Sequence, residues 1–290
     1  MSGINPESIA IQGEPGSFHH QAANYLYPDN GYELVPCRRF SDVFSAVSSG
    51  NASHGLVAIE NNLYGSINET YSLFREHPDM RISREVRMRI GQCLISHRPT
   101  TLEKVQEADG SVYVRSQSPA IAQVEHWLQD NLPTAHIEYV DDTALSVQQV
   151  MNSDNPNDLA IAGHFAAQYY GAHVAAADIN DDPHNYTRFV LFSNRNEINP
   201  DASASSIILD TSRKPDRPGL QLSALAILFA FNINLTKNHS HPRGGKTQAY
   251  DFYLDTDAPL ESRRMQLAIK SLRKARFGVQ ELGSYDRVAA

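Results

Sequence analysis

Four predicted loops carry polar side chains that could bind a small anion. Their sequences are GEPGSF, IENNLYGS, RSQSPA and VDDTAL. Ser17 and Thr143 lie where predicted helices begin, and the N-terminal amides and dipole of a helix attract carboxylates. Asn61 ends a predicted strand with an amide that can donate hydrogen bonds. The same residue types also cap helices and turns, so capping stays open as the alternative at all three positions.

The elements around these loops alternate between short β-branched strands and segments of helical period. The first series starts at Ser8 with SIAIQG, HHQAANYL, YELVPC and SDVFSAVSSG, and continues with HGLVAIEN and INETYSLFRE. After an alternating apolar stretch from Arg81 to His97, a second series runs from SVYVRS to HVAAADI. Such alternation is typical of βαβ units around a mostly parallel sheet. It predicts two similar α/β lobes, with the four loops converging on one cleft.

The last part of the chain has a different order of elements. Residues 195–205 have almost no periodic apolar positions and are rich in Asn, Ser and Asp, which predicts a linker. Residues 206–290 contain SSIILDTS, PGLQLSALAILFAFN, INLTKNHSHP, AYDFYLDT, LESRRMQLAIKSLRKA and FGVQELGSYDRV. These segments predict strand, helix, strand, strand, helix and strand, which is the order of a ferredoxin-like domain.

Length, composition and charge exclude several classes of function. The chain has 290 residues, of which 41% are hydrophobic, enough for two or three compact units. Its net charge is -8 with both signs interleaved, so neither nucleic acid nor membrane is expected as a partner. Cys37 and Cys93 lack the spacing of a disulfide framework or a metal site. No apolar run reaches the ~20 residues of a membrane span, and we expect a cytoplasmic protein.

Three motifs resemble those of the prephenate dehydratase family. They are Gly13–Phe18 (GEPGSF), Val57–Asn61 (VAIEN, followed by Asn62, Gly65 and Ser66) and Asn185–Phe189 (NYTRF). The family has an α/β catalytic region of the two-lobed, periplasmic-binding-protein-like type II fold, followed by a ferredoxin-like ACT domain. The resemblance therefore implies a catalytic region at 1–194, with lobe 1 at about 6–84 plus 180–194 and lobe 2 at about 85–179. The linker at 195–205 then leads to an ACT domain at 206–290.

The resemblance implies a lyase that converts prephenate to phenylpyruvate in phenylalanine biosynthesis, without a metal or an organic cofactor. Thr187 is then the general acid that protonates the departing ring hydroxyl, and Asn61 assists it as a second catalytic residue. Composition alone favours a threonine that caps the turn before a strand, and the NYTRF motif reverses that preference. Two other functions stay open: dehydration of arogenate, and a non-catalytic sensor of a small carboxylate or an amino acid.

The implied substrate-binding residues surround these two. They are Gly16, Ser17, Phe18, His19, Asn62, Ser116, Gln117, Ser118, Thr143, Arg188 and Phe189. Arg188 follows Thr187 in an extended strand and should point to the opposite face, so it is either a substrate clamp or an ion-pair partner. Phe189 either packs on the substrate ring or belongs to the core. Our hypothesis for His19 is that its imidazolium neutralises substrate charge, with a solvated polar residue as the alternative.

The sequence departs from the family pattern at several of these positions. Asn62 replaces a usual serine, and His19 and His20 follow the glycine loop where the family has a serine. The segment Ser116–Pro119 replaces Ser-His-Pro-Gln, so Pro119 stands where relatives have an assisting glutamine. Gln117 or Gln123 is expected to substitute for that glutamine.

The regulatory part departs from the family pattern as well. The resemblance implies that an ACT domain binds phenylalanine, or another amino acid, as an effector. The implied regulatory residues are Gly219, Leu220, Asn234, Leu235, His239, Ser240, His241 and Pro242. The HSHP sequence lacks the glutamate and arginine of the usual Glu-Ser-Arg-Pro motif, so a domain kept only for oligomerisation is the alternative. We expect a homodimer or homotetramer.

Overall fold

The first lobe is built on a sheet whose central strands are buried on both faces. The computed structural model describes residues 7–29, 31–108, 110–195, 198–212, 218–242 and 250–289. The expected lobe start at residue 6 lies outside these ranges, as do residues 213–217, 243–249 and 290 of the expected C-terminal domain. The lobe begins with β1 (Glu7–Gln12), α1 (Phe18–Leu26), β2 (Tyr32–Cys37), α2 (Phe40–Ser49), β3 (His54–Asn61), β4 (Gly65–Ser66), α3 (Asn68–Glu76) and β5 (Arg81–Arg89).

The second lobe has its own five-stranded sheet. Its elements are β6 (Gln92–Ser96), α4 (Leu102–Gln106), β7 (Tyr113–Ser116), α5 (Ser118–Ala122), α6 (Glu125–Asn131), β8 (His136–Tyr139), α7 (Thr143–Met151), β9 (Asp158–Gly163), α8 (His164–Tyr170) and β10 (His173–Ala176). The strand order is β10-β6-β9-β7-β8. Helices cover this sheet and complete two apolar clusters, one under α5 and α6 and the other under α7 and α8.

The chain crosses twice between the lobes. It leaves the first sheet after β5 and returns with β11 (Tyr186–Ser193), which pairs antiparallel with both β3 and β5. The first crossing lies between Arg89 and Gln92, later than the boundary expected at 84/85. The reason is that Val86 and Met88 still pair with Phe189 and Thr187 in the first sheet.

The C-terminal part confirms the predicted ferredoxin-like order. It contains β12 (Ala204–Asp210), α9 (Leu220–Ala230), β13 (Leu235–Pro242), β14 (Tyr250–Thr256), α10 (Arg263–Lys274) and β15 (Gly278–Ala289). Because β12 begins at Ala204, the predicted linker ends inside a strand; residues 196 and 197 of that linker lie outside the described ranges. In α10 the buried residues Met265, Ala268, Ile269 and Leu272 follow the helical period and pack on the sheet.

The C-terminal domain and the first lobe share one sheet and one apolar cluster. β15 pairs parallel with β5, which gives the ten-stranded order β13-β14-β12-β15-β5-β11-β3-β1-β2 with β4 beside β3. Gly283 permits this junction, since its φ is 131° and a Cβ there would lie 2.2 Å from the carbonyl oxygen of Ile82. Tyr253 and Tyr285 pack in the same cluster as Phe44 of the first lobe. Among the residues described, no helix is long and apolar enough to cross a membrane.

Candidate active site

A cavity of about 750 Å³ lies between the two lobes. Its walls come from β1, β3, β11 and the start of α1 on one side, and from the starts of α5 and α7 on the other. Loops at the carboxyl ends of parallel strands meet at one edge of a sheet, which explains why these loops converge on the cavity. The predicted site residues that line the cavity are Ser17, Phe18, His19, Asn61, Gln117, Ser118, Thr143, Thr187 and Phe189.

The central feature of the cavity is a hydrogen-bonded pair of neutral side chains. Thr187 on β11 lies directly opposite Asn61 on β3, and both are buried. Asn61 Nδ2 donates to Thr187 Oγ1 at 3.0 Å and to Asn185 Oδ1 at 2.7 Å. Because the threonine oxygen accepts this bond, its own hydrogen is directed to another acceptor.

The side-chain amide of Asn61 makes all of its hydrogen bonds to other groups of the protein. Its Oδ1 accepts from the backbone N–H groups of Leu63 and Tyr64 at 2.9 and 3.0 Å. It therefore stabilises the turn after β3, whereas α3 has Ile67 at its N-cap. With both donors and both acceptor sites occupied, Asn61 positions Thr187 rather than binding a ligand directly.

The glycine loop brings Ser17 and Phe18 to the cavity and leaves Gly16 outside its lining. Ser17 is the N-cap of α1, and its Oγ accepts from the N–H of His20 at 3.4 Å. Gly16 has a φ of 93° and donates its own N–H to His20 Nδ1 at 2.9 Å. A Cβ on Gly16 would lie 3.0 Å from the ring of Tyr170. The amide of Gly16 is thus not available to an anion in the cavity.

His19 is buried in an apolar setting, which contradicts the hypothesis of a charged imidazolium. Its Nε2 accepts from the N–H of Ala58 at 3.1 Å, and its ring packs on Phe40 and Phe189. Burial lowers the pKa of His19 to about 3, so the ring is neutral at physiological pH. Phe189 contributes to both the core and the lining of the cavity.

Arg188 lies on the face of the sheet opposite the cavity. Its guanidinium contacts Glu60 and Glu85 at 2.6 Å each and Asp255 at 2.9 Å. Burial opposes the charged form of Arg188, but Asp255 and Glu85 outweigh it and raise the pKa of the guanidinium. Arg188 lies on this face because successive side chains of an extended strand point to opposite faces, so that Arg188 points away from Thr187. The structure therefore favours the ion-pair alternative over the substrate clamp.

Asn62 and Ser116 also lie outside the cavity lining. Asn62 anchors the start of β11, since its Oδ1 accepts from Tyr186 N and its Nδ2 donates to His184 O, both at 2.6 Å. Ser116 is fully buried and its Oγ donates to the carbonyl of Ile161 at 2.6 Å. Both residues support the walls of the cleft.

The second-lobe wall contains the expected amides around Pro119. Gln117 is the N-cap residue of α5, and Gln123 accepts from Gln92 Nε2 at 3.0 Å. All of these residues line the cavity. Thr143 begins α7, where Asp142 caps the helix by accepting from the N–H groups of two residues in its first turn.

Sequence reasoning missed several residues at the cavity. Arg38 and Arg39 line it, and Arg38 pairs across the lobes with Asp141 at 3.2 Å. The available signal was their place directly after β2, whose carboxyl end lies beside that of β1, the neighbour of β3. Gln92 also lines the cavity, and among the described residues its Oε1 is buried without a hydrogen-bond partner, as is Nδ2 of Asn185 outside the lining. Buried polar atoms of this kind are candidates to bind a ligand.

The predicted regulatory residues are divided between the two faces of β13. A register shift between Leu235 and Lys237 places the side chains of these two residues on opposite faces of the sheet. Beyond it His239 and His241 face the first lobe, where His239 Nε2 is 3.1 Å from Asn68 Oδ1 and His241 Nε2 is 3.2 Å from Ser72 Oγ. Burial lowers the pKa of His239, with further lowering from Lys237 and His241.

The remaining regulatory residues lie toward the helices and solvent. Ser240 and Pro242 are exposed, and Asn238 on the same face accepts from Gln221 Nε2 at 3.1 Å. Gly219 has a φ of 80° and precedes Leu220, the first residue of α9. Asn234 is exposed and its N–H donates to Asp257 Oδ1 at 3.0 Å. Gly219, Asn234 and the outer face of β13 are therefore all exposed in this part of the domain.

Comparison with known proteins identifies the family. The family model described as prephenate dehydratase matches residues 9–197. A bifunctional chorismate mutase/prephenate dehydratase from Aquifex aeolicus is 31% identical, with 96% of this chain and 73% of the relative covered. An arogenate dehydratase/prephenate dehydratase from Arabidopsis thaliana is 32% identical, with 96% and 72% covered. The solved prephenate dehydratase of Arthrobacter aurescens in complex with L-Phe has a TM-score of 0.83 at 25% identity, with 97% and 90% covered. This chain belongs to the prephenate dehydratase family.

Proposed function

We propose that this chain converts prephenate to phenylpyruvate, with loss of carbon dioxide and water, in phenylalanine biosynthesis. The observation that carries the proposal is the Thr187 hydroxyl, held at 3.0 Å by Asn61 in the interlobe cavity. A buried hydroxyl whose oxygen already accepts a hydrogen bond is set to donate its hydrogen to a ligand. We infer that Thr187 is the proton donor and that Asn61 orients it.

The reaction breaks two bonds of the substrate. The ring carboxylate leaves as carbon dioxide, its bonding electrons complete the aromatic ring, and the bond between the ring and its hydroxyl oxygen breaks. The prephenate dianion and one proton thus become the phenylpyruvate anion, carbon dioxide and water. A threonine hydroxyl is a poor free acid, so Thr187 acts through a hydrogen bond that strengthens as the departing oxygen becomes basic. Solvent supplies the net proton.

The charges at the cavity suit a doubly charged acid. Arg38 and Arg39 line it from the first lobe, and α1 begins beside them with its positive N-terminal end. Asp142 lines the cavity as well, but burial raises the pKa of its carboxyl, and two backbone N–H groups of α7 hold its Oδ1. We infer that the arginines and the start of α1 bind the substrate carboxylates.

Arogenate is the second candidate substrate. It differs from prephenate by an ammonium group in place of the side-chain keto group. Glu69, an exposed carboxylate at the cavity, favours this candidate because it could pair with that ammonium. The Arabidopsis relative carries both activities in its name.

We propose that phenylalanine or another amino acid binds the C-terminal domain as an effector. The support is the L-Phe complex of the Arthrobacter protein and the exposed positions of Gly219, Asn234 and Ser240. We further propose that a second copy of the chain covers α9, whose Leu222 and Phe229 are 69% and 84% exposed. A homodimer or homotetramer and a cytoplasmic location stay predictions.

A turnover assay with two substrates tests the proposal. Purified protein is mixed in parallel with prephenate and with arogenate, and phenylpyruvate and phenylalanine are measured as the products. We expect phenylpyruvate formation to be faster, and to slow when phenylalanine is added. Faster turnover of arogenate would establish the second candidate. Binding of prephenate in calorimetry without any product would instead indicate a sensor.

A further inference from the structure

Six charged side chains meet behind the Asn61–Thr187 pair, one from each of six strands. We name them the ion cluster: Glu60 on β3, Glu85 on β5, Arg188 on β11, Lys237 on β13, Asp255 on β14 and Arg287 on β15. Three of these strands belong to the first lobe and three to the C-terminal domain. Lys237 Nζ lies 2.8 Å from Glu60 Oε2, and Arg287 Nε lies 3.9 Å from Glu85 Oε1. Together with the contacts of Arg188, these pairs connect the two domains.

The ion cluster is adjacent in sequence to the catalytic pair. Glu60 precedes Asn61 on β3, and Arg188 follows Thr187 on β11. The strands are in register at both positions, so that Arg188 pairs with Glu60 and Thr187 pairs with Asn61. A shift of either strand at Glu60 or Arg188 would therefore also move the neighbouring cleft residue.

Burial makes the arrangement stiff. The side chains of Glu85, Lys237 and Asp255 are each less than 10% exposed. Asp255 also accepts from Ser206 Oγ at 2.6 Å, and that hydroxyl is 2.9 Å from Tyr285 Oη. Separating one of these three charges from its partners would leave it buried and unpaired, which proteins tolerate poorly. The buried members of the ion cluster therefore resist separation from their partners.

Lys237 links the ion cluster to the strand that carries the regulatory residues. It shares one face of β13 with His239, which contacts Asn68 at the start of α3. Its ammonium also lies 5.5 Å from the ring of Tyr71 on the same helix. Glu69, which follows Asn68 in α3, lines the cavity. β13 thus contacts the first lobe both behind the catalytic pair and beside the cleft.

We propose that Lys237 and Asp255 of the C-terminal domain are positioning residues for the reaction, because through Glu60 and Arg188 they hold Asn61 and Thr187 in register. A shift of β13 that withdraws Lys237 from Glu60 then misaligns the Thr187 hydroxyl without blocking the cavity. This inference rests on the proposed function. It identifies how the C-terminal domain controls the dehydration step, which the effector site alone does not explain.

The test is a comparison of Lys237→Met with Lys270→Met, which removes an exposed lysine of α10 in the same domain. We expect Lys237→Met to lower kcat for prephenate ~2- to 30-fold, the usual range for remote coupling, with KM unchanged within about twofold. Lys270→Met should match wild type. Lys237→Arg, which keeps the charge, should recover most of the lost kcat.

Asp255→Asn provides a second, nearly isosteric variant if Lys237→Met does not fold. It should show the same fall in kcat at constant KM, with circular dichroism confirming the fold. Wild-type kcat in whichever of the two variants folds would overturn the inference, as would a fall in Lys237→Arg as large as in Lys237→Met. Absence of turnover in the wild-type protein would instead refute the proposed function, so the two failures are distinguishable.

Discussion

The two faces of the β3–β11 strand pair differ in the kind of interaction they present. The cleft face carries Asn61 and Thr187, which are neutral and joined by one hydrogen bond. The rear face carries Glu60 and Arg188, which are charged and belong to the ion cluster. Alternation along the strands separates the two sets completely.

The difference shows how one strand pair serves two purposes. A carboxylate beside Thr187 would accept its hydrogen and lower its ability to respond to the departing oxygen. Neutral partners leave that hydrogen to the substrate. Fixed charges on the rear face instead resist movement, because each would be left buried without a partner if the strands shifted.

Among the substitutions considered, Thr187→Val is expected to have the largest effect, because it removes the hydroxyl of the cleft face. The substitution keeps the β-branched shape and replaces the hydroxyl with a methyl group, so the strand pairing should be preserved. We expect kcat for prephenate to fall by ~10²- to 10⁴-fold, the usual contribution of a general acid. Steady-state kinetics would measure the loss. Thr187→Ser, which keeps a hydroxyl, should retain most of the activity, and near wild-type turnover in Thr187→Val would exclude the assigned role.

The sequence predicted the cleft face well because its chemistry lies in contiguous motifs. VAIEN and NYTRF placed Asn61 and Thr187 at strand positions, and the structure brings them opposite one another. The family assignment and the fold class are likewise confirmed. Alternation alone indicated that Arg188 points away from the cavity, without naming its partners.

The rest of the site depends on tertiary contacts that a sequence does not display. His19 looked like a solvated or charged residue, but packing against Phe40 and Phe189 keeps it neutral. Arg38 reaches the cavity only because β2 lies beside β1. The ion cluster joins residues from both ends of the chain, and its partners follow from the β5–β15 pairing.

Arg188→Met tests the rear face. It leaves Glu60, Glu85 and Asp255 with less positive charge to compensate them, in a site from which water is largely excluded. We expect the free energy of unfolding to fall by ~3–5 kcal/mol, as for other broken buried ion pairs. Urea denaturation would measure it. The control is Arg38→Met, which removes an exposed ion pair and should cost less than ~1 kcal/mol; equal losses in the two variants would contradict the contrast between the faces.

The smallest expected effect concerns His19 and the neutral character of the cleft face. In the unfolded chain this imidazole binds a proton near its ordinary pKa of 6.5, whereas burial lowers the pKa of the folded state to about 3. At pH values between these two pKa values the unfolded state binds more protons than the folded state. Folding stability is therefore lost as the pH falls below 6.5. The expected loss is ~1.4 kcal/mol per pH unit.

Urea denaturation at several pH values from about 7 to about 5 would measure this loss as the difference between the wild type and His19→Gln. Glutamine does not titrate and can still accept a hydrogen bond from the N–H of Ala58, so the variant should lose less stability in acid. His173→Gln, at an exposed position of β10, is the matched control and should follow the wild type. Identical acid profiles for His19→Gln and the wild type would mean that His19 is protonated in the folded protein. In that case the cleft face would carry a charge, and the contrast with the rear face would no longer hold.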